Sequence, residues 1–128
     1  MEPVGTEIVL GEDEEPSFEV DDEIDRVIRE INAWGYLCRG GKVTYTGYEV
    51  PVSGLRAFTE SAEALAEQYG DGAREWTYER EITHVDGTTE MRRSTVTGPE
   101  FRQAMLSLAA TAGEAARRGT AMILNMDD

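Results

Sequence analysis

Residues 75–118 read EWTYEREITHVDGTTEMRRSTVTGPEFRQAMLSLAATAGEAARR, and the change of period inside this stretch decides the fold class. Glu75 to Val85 and Thr88 to Thr97 are β-rich runs parted by Asp86-Gly87, a dipeptide suited to the positive φ angles of a tight hairpin turn. Directly after the second run, Thr97-Gly98-Pro99-Glu100 joins the spacing of a capping box to an early-turn proline. It opens a long helix through Phe101, Met105, Leu108, Ala109, Ala112 and Ala116, which Arg117 and Arg118 close ahead of Gly119. A hairpin followed by a capped helix predicts an α+β chain with antiparallel strands.

The pairing of the hairpin can be written out. A two-residue loop sets Val85 against Thr88, Ile82 against Met91, Glu81 against Arg92 and Tyr78 against Thr95. One face then carries Trp76, Tyr78, Ile82 and Met91, and the other Glu79, Glu81 and Arg92. The same register puts Arg80 opposite Arg93 on the aromatic face, where like charges repel unless an anion lies between them.

Upstream, Leu55, Phe58, Ala62, Leu65, Ala66 and Tyr69 recur at helical spacing, which predicts an amphipathic helix over 54–69 with Ser53 as its cap and Gly70 as its stop, laid over a sheet. Lys42 to Val52 alternates around Thr46-Gly47 and predicts a short hairpin, with Pro51 ending the second strand or confining it to an edge. Ile24, Val27, Ile28, Ile31 and Trp34 predict a helix over 21–34, with Asp21 and Asp22 supplying cap oxygens and Gly35 just past its end. Thr120 to Met126 is a compact apolar stretch that suits a last strand or a docking tail. The expected architecture is therefore a single domain over 21–128, with about three helices packed on a small antiparallel sheet of two hairpins.

The formal charge of −14 is local. Residues 1–25 hold eleven acids and no Lys or Arg, while the other 103 residues hold fifteen acids and twelve bases. A salt-adapted protein would spread its acids over every solvated face. The run Glu12, Asp13, Glu14, Glu15 ahead of Pro16 lies outside any periodic segment, so residues 1–20 are expected to form an extended acidic arm. Ile8, Val9 and Leu10 within it could add a strand to a sheet edge of this subunit or a neighbour. Arg80 and Arg93 are the expected receivers of such an arm, since opposed guanidinium groups need a carboxylate partner. A frayed tail that only aids solubility is the plainer alternative.

Several function classes lack their residues. Cys38 is the only cysteine and His84 the only histidine, so an internal disulfide and a cysteine-rich zinc site are excluded. The acid run has no calcium-loop spacing, and the glycines at 40–41 and 70–72 follow no phosphate-loop or dinucleotide pattern. No cofactor, no metal, no catalytic residue and no small-molecule substrate are expected. An enzyme would need a pocket in which Cys38 or His84 meets a carboxylate. Direct nucleic-acid binding needs a positive face, and this chain has the opposite sign. No stretch approaches the roughly 18 apolar residues of a membrane span, and the N-terminus lacks the order of a signal peptide, so neither insertion nor export by that route is expected.

Taken in order, residues 24–118 give a helix ending in Gly35-Tyr36, the string VTYTGYEVPVS, an Ala-rich amphipathic helix, a Trp-containing strand, Asp86-Gly87, and a strand leading into a Thr-capped helix. This order resembles a family of small phage domains of unknown function found in tail-fibre and tail-fibre-assembly proteins. The matching positions are Val43, Tyr45, Gly47 and Ser53 in the first half, and Trp76, Asp86 and Thr97 in the second. The resemblance brings no catalytic residues with it. It implies a non-enzymatic structural or assembly protein, tail-associated, present in the host cytoplasm during assembly or in the virion, whose partners are other phage or virion proteins or a second copy of itself. The alternative is an acidic decoy that occupies the nucleic-acid-binding surface of a host defence protein. A decoy would array carboxylates over a rigid folded face, whereas an assembly arm would be extended.

Overall fold

A computed structural model describes residues 4–126. The α+β class holds, with strands β1 (Val4–Leu10), β2 (Phe18–Asp21), β3 (Lys42–Val43), β4 (Gly47–Val50), β5 (Glu75–Thr83), β6 (Thr89–Thr97) and β7 (Met122–Met126). The helices are α1 (Asp22–Glu30), α2 (Ala33–Leu37), α3 (Leu55–Tyr69) and α4 (Gly98–Arg118). Five strands form one antiparallel sheet in the order β2-β1-β7-β4-β3, and β5 and β6 pair separately. The described part thus contains four α-helices where the sequence suggests about three, and a five-stranded sheet beside the expected second hairpin.

The largest departure concerns the acidic leader. Residues 4–20 are not an arm outside the domain: β1 lies between β2 and β7, with Ile8 opposite both Phe18 and Leu124. Ile8 and Leu10 are completely buried, so the three apolar residues that suggested an edge strand instead build the middle of the sheet. Burial of two such side chains contributes roughly 3 to 6 kcal/mol, which outweighs repulsion among acids that remain solvated. The acids fit because a strand alternates faces. Thr6, Ile8 and Leu10 point into the core, while Glu7 points to solvent beside Glu19. Residues 1–3 of the expected arm lie outside the described residues.

Apart from Thr6, the covered face of the sheet is apolar. Ile8, Leu10, Val20, Val50, Met122 and Leu124 join Val27, Ile28, Leu37, Phe58, Met105 and Leu108 of the helices in one core. The other face carries Glu7, Val9, Glu19, Glu49, Ile123 and Asn125, with Lys42 paired to Glu49 at 3.4 Å. β7 is the strand on which this arrangement turns, since it pairs with β1 on one side and β4 on the other. The last apolar stretch is therefore a central strand, not a docking tail.

The helix expected over 21–34 breaks near its end. Asn32 adopts φ 58°, a left-handed conformation that asparagine tolerates, and α2 starts at the next residue. Gly35 lies inside α2 and does not stop a helix. In an unbroken helix residues 25 and 34 would sit about two and a half turns apart on opposite faces. The break brings them together: Trp34 Nε1 donates to Asp25 Oδ1 at 2.9 Å, and Thr6 Oγ1 donates to the same oxygen at 2.7 Å. Arg29 Nε lies 2.7 Å from the second oxygen, Oδ2. Asp25 is only 3% exposed, and a Cβ on Gly5 would come within 2.4 Å of its own Cβ, so glycine there lets β1 close over the carboxylate.

The long helix forms as its sequence signals. Thr97 accepts from the Glu100 backbone N–H, the Glu100 side chain accepts from the Thr97 N–H, and Gly119 ends the helix at φ 67°. Helix α3 forms over nearly the expected span and buries Leu55, Phe58, Ala62, Leu65 and Ala66 as expected. A single 3-10 turn at Val52–Gly54 precedes it in place of a Ser53 side-chain cap. Its main neighbour is α4, not a sheet. Pro51 ends β4, which is flanked on both sides, and the edge falls to β3.

Asp25→Ala leaves two buried donors without an acceptor and is expected to lower the unfolding free energy by about 2 to 5 kcal/mol, read from urea denaturation followed by Trp fluorescence. Asp25→Asn keeps an acceptor oxygen for Thr6 and Trp34 and is expected to lose clearly less. Equal losses in the two variants would mean that the charge, and not the acceptor, matters.

Candidate functional site

The β5–β6 hairpin carries the two arginines, Arg80 and Arg93, that the sequence nominates for partner binding. Its base is anchored: Trp76 packs against Phe101 and Tyr69 with ring centroids 5.4 and 6.3 Å away, and Val96 is buried opposite Trp76. Tyr78 Oη donates to Glu30 Oε2 at 2.5 Å beneath the Arg26 guanidinium, which lies 5.2 Å from the ring centre. Burial, then the bond to Glu30, pushes the Tyr78 hydroxyl far above its ordinary range, so it remains a donor. Beyond Tyr78 the hairpin leaves the body, and residues 83–93 are all exposed.

The hairpin closes with three loop residues, not two. Gly87 N–H donates to the His84 carbonyl at 2.9 Å, His84 N–H donates to the Thr88 carbonyl at 2.8 Å, and Gly87 takes φ 88°. Asp86 Oδ1 locks the loop by accepting from the Thr88 N–H at 2.9 Å and from Thr88 Oγ1 at 2.6 Å. The extra residue moves every expected pair by one. Arg80 faces Arg92, Glu81 faces Met91, Ile82 faces Glu90 and Tyr78 faces Ser94. Arg93 faces Glu79 instead and bonds its Oε1 at 3.0 Å on the solvent side. Met91 also leaves the aromatic face.

An opposed arginine pair therefore exists, but its members are Arg80 and Arg92. Arg92 bonds Glu90 Oε1 at 2.8 Å, and that carboxylate also lies 3.3 Å from His84 Nε2. Arg80 Nε is buried with no hydrogen-bond partner among the described residues. A desolvated guanidinium donor that faces a second guanidinium is a place where an added carboxylate would be favourable.

The acids expected to fill it stand elsewhere. Residues Glu12, Asp13, Glu14 and Glu15 form the exposed turn between β1 and β2, and Asp13 accepts two bonds from Arg118 at 3.0 and 3.1 Å. Arg118 is at the C-terminal end of α4, whereas the hairpin springs from its N-terminal end. A helix of 21 residues is about 30 Å long, so the acidic turn and Arg80 or Arg93 of one chain are far apart. No hydrogen bond or ion pair joins them among the described residues.

Cys38 is 3% exposed at the end of α2, and burial pushes its thiol up to about 12, so it is no thiolate at neutral pH. His84 is exposed at the hairpin tip, in a different part of the chain. Among the described residues no three His, Cys, Asp or Glu side chains converge to hold a metal ion, and no helix is long and apolar enough to cross a membrane. No local signal marks the Asp25 network, which depends on the break at Asn32. The Arg80–Arg92 pairing follows from a three-residue loop, which Asp86-Gly87 alone does not specify.

The chain matches no protein-family model, no curated protein and no solved structure.

Arg80→Met removes the repulsion and the unpartnered donor and is expected to leave stability within about 1 kcal/mol of wild type or to raise it, whereas Trp76→Ala costs about 3 kcal/mol. Added sulfate should raise the melting temperature of wild type more than that of Arg80→Met. A large loss in Arg80→Met would show that the guanidinium is already satisfied. The Arg118 bonds hold the Asp13 carboxyl below its ordinary range. Any stability from that pair is present above the unfolded-state value and is lost as pH falls through the depressed one. Carboxyl NMR titration of Arg118→Ala should return Asp13 upward, and an unmoved titration would mean that the turn is not tethered.

Proposed function

We propose that this chain is a non-enzymatic binding protein that works through protein–protein contacts, with the protruding hairpin as one of its contact surfaces. The observation that carries the reading is the hairpin's outer half, a ribbon whose two strands pair only with each other among the described residues, with the unpartnered Arg80 Nε set opposite Arg92. An isolated two-stranded ribbon is marginal by itself in water, and a partner laid against it would order it. A carboxylate from that partner would relieve the arginine pair. Such contacts are strongly salt-dependent because the groups around them are exposed.

In the setting suggested by the order of motifs over 24–118, the partner is another phage protein or a second copy, and the chain serves in tail assembly. Glu12, Glu14 and Glu15 on one copy could then meet Arg80 and Arg92 on another. A second reading is favoured by a specific observation. The excess acids are held on folded elements, with Glu7 and Glu19 side by side on a solvated sheet face and Asp13 fixed by Arg118. Rigid carboxylates on a β-surface are what an anionic decoy of nucleic acid would present to a host defence protein.

Affinity capture from infected cells at low and high salt separates the two. Assembly predicts a virion protein or the chain itself, retained by wild type at low salt and lost in Arg80→Met. A decoy predicts a host nucleic-acid-binding protein that DNA displaces, lost in Glu7→Gln with Glu19→Gln and kept in Arg80→Met. Turnover of a small molecule by the purified chain would remove both.

A further inference from the structure

A second surface, independent of the hairpin and of either partner class above, lies at the opposite kind of strand: an edge that the main sheet leaves open. β2 ends the five-stranded sheet, and β1 is its only strand partner among the described residues. Beside its free edge runs a cleft of about 280 Å³, walled by β2 and the start of α1 on one side and by the N-terminal half of α4 on the other. Half-buried Phe18 and Ile24 and buried Ala104 give it an apolar lining, while Glu19, Asp21 and Glu100 rim it with acid. Among the described residues no Lys or Arg lines it.

Each feature selects an occupant. A free strand edge beside a helix has backbone donors and acceptors waiting for an extended chain, and side chains on that chain alternate between the two faces of the sheet. Phe18 and Val20 set the covered face of β2, and Glu19 and Asp21 the solvated face. A strand added next to them would turn every other side chain toward the apolar cleft and the rest toward carboxylates. Acid on the rim also discourages pairing with a second β2 edge, because Glu19 would meet Glu19 or Asp21 across the new ladder.

We propose that the cleft between β2 and α4 binds an extended peptide segment in which apolar residues alternate with Lys or Arg, added as a sixth strand to the edge of β2. The probe is the blocked peptide Ac-Arg-Val-Arg-Val-Arg-Val-NH2, titrated calorimetrically into the full chain. Binding is expected for wild type, at least tenfold weaker in Glu19→Lys and in Gln103→Trp, whose ring would fill the cleft from an exposed position on α4. Amide NMR shifts on binding should concentrate at residues 18–24 and 100–107. A version N-methylated at alternate amides keeps the charges and loses the ladder bonds, and it should not bind. Three results overturn the proposal: equal binding of the N-methylated peptide, which would reduce the contact to charge; no binding to folded wild type; or a dimer in light scattering whose formation is abolished by Gln103→Trp, which would give the cleft to a second copy.

Discussion

A carboxylate taken almost wholly out of water must be surrounded by donors, and Asp25 meets that demand by joining three parts of the chain. Thr6 comes from β1, Trp34 from α2 and Arg29 from its own helix. Each donor fixes something different. Thr6 holds the strand against α1 at a point where Gly5 allows no side chain between them. Trp34 is within reach only because the helix breaks at Asn32, and the break in turn lets Leu37 and Cys38 enter the core. The orientation of the N-terminal hairpin, the bend between α1 and α2 and the closure of the core at that end are one coupled requirement.

That coupling explains why the acidic leader folds. Eleven acids in the first 25 residues suggest a chain that repels itself, but repulsion between solvated carboxylates is weak in water. The apolar side chains of β1 alternate with the charged one, so burial and solvation do not compete. Asp25, the last acid of the leader, is itself the buried one and has its donors. The cluster is better described as the solvated face of a strand pair, a tethered turn and one internal polar contact than as a tail.

Elements whose signals are local were legible in the sequence. The capping box at Thr97, the spacing of α3, the short hairpin ended by Pro51 and the β5–β6 hairpin all carry their instructions within a few residues. What was not legible depended on distant partners. Thr120 to Met126 has no clear period because β7 is enclosed by β1 and β4, both far away in the chain, and nothing within the segment announces them. The register of β5 and β6 turned on whether Asp86-Gly87 forms a two-residue turn or the last part of a three-residue loop, a choice made by the Asp86 bonds to Thr88. A single residue moved Arg93 from the inner face to an exposed ion pair and put Arg92 in its place.

The charge pattern of the candidate surfaces follows from the same division between local and distant. Where a charged side chain has a partner a few residues away or across one ladder step, as Arg93 has Glu79 and Arg117 has Glu114, the pair is solvated and of little energetic consequence. Arg80 differs because the ladder sets it against Arg92 and its Nε is buried with no hydrogen-bond partner among the described residues. A chain selected only for its own stability could replace such an arginine with an apolar residue of similar length and relieve both costs. In the free chain the arginine is thus a local cost that the anchored base of the hairpin, with Trp76 packed on Phe101, has to offset.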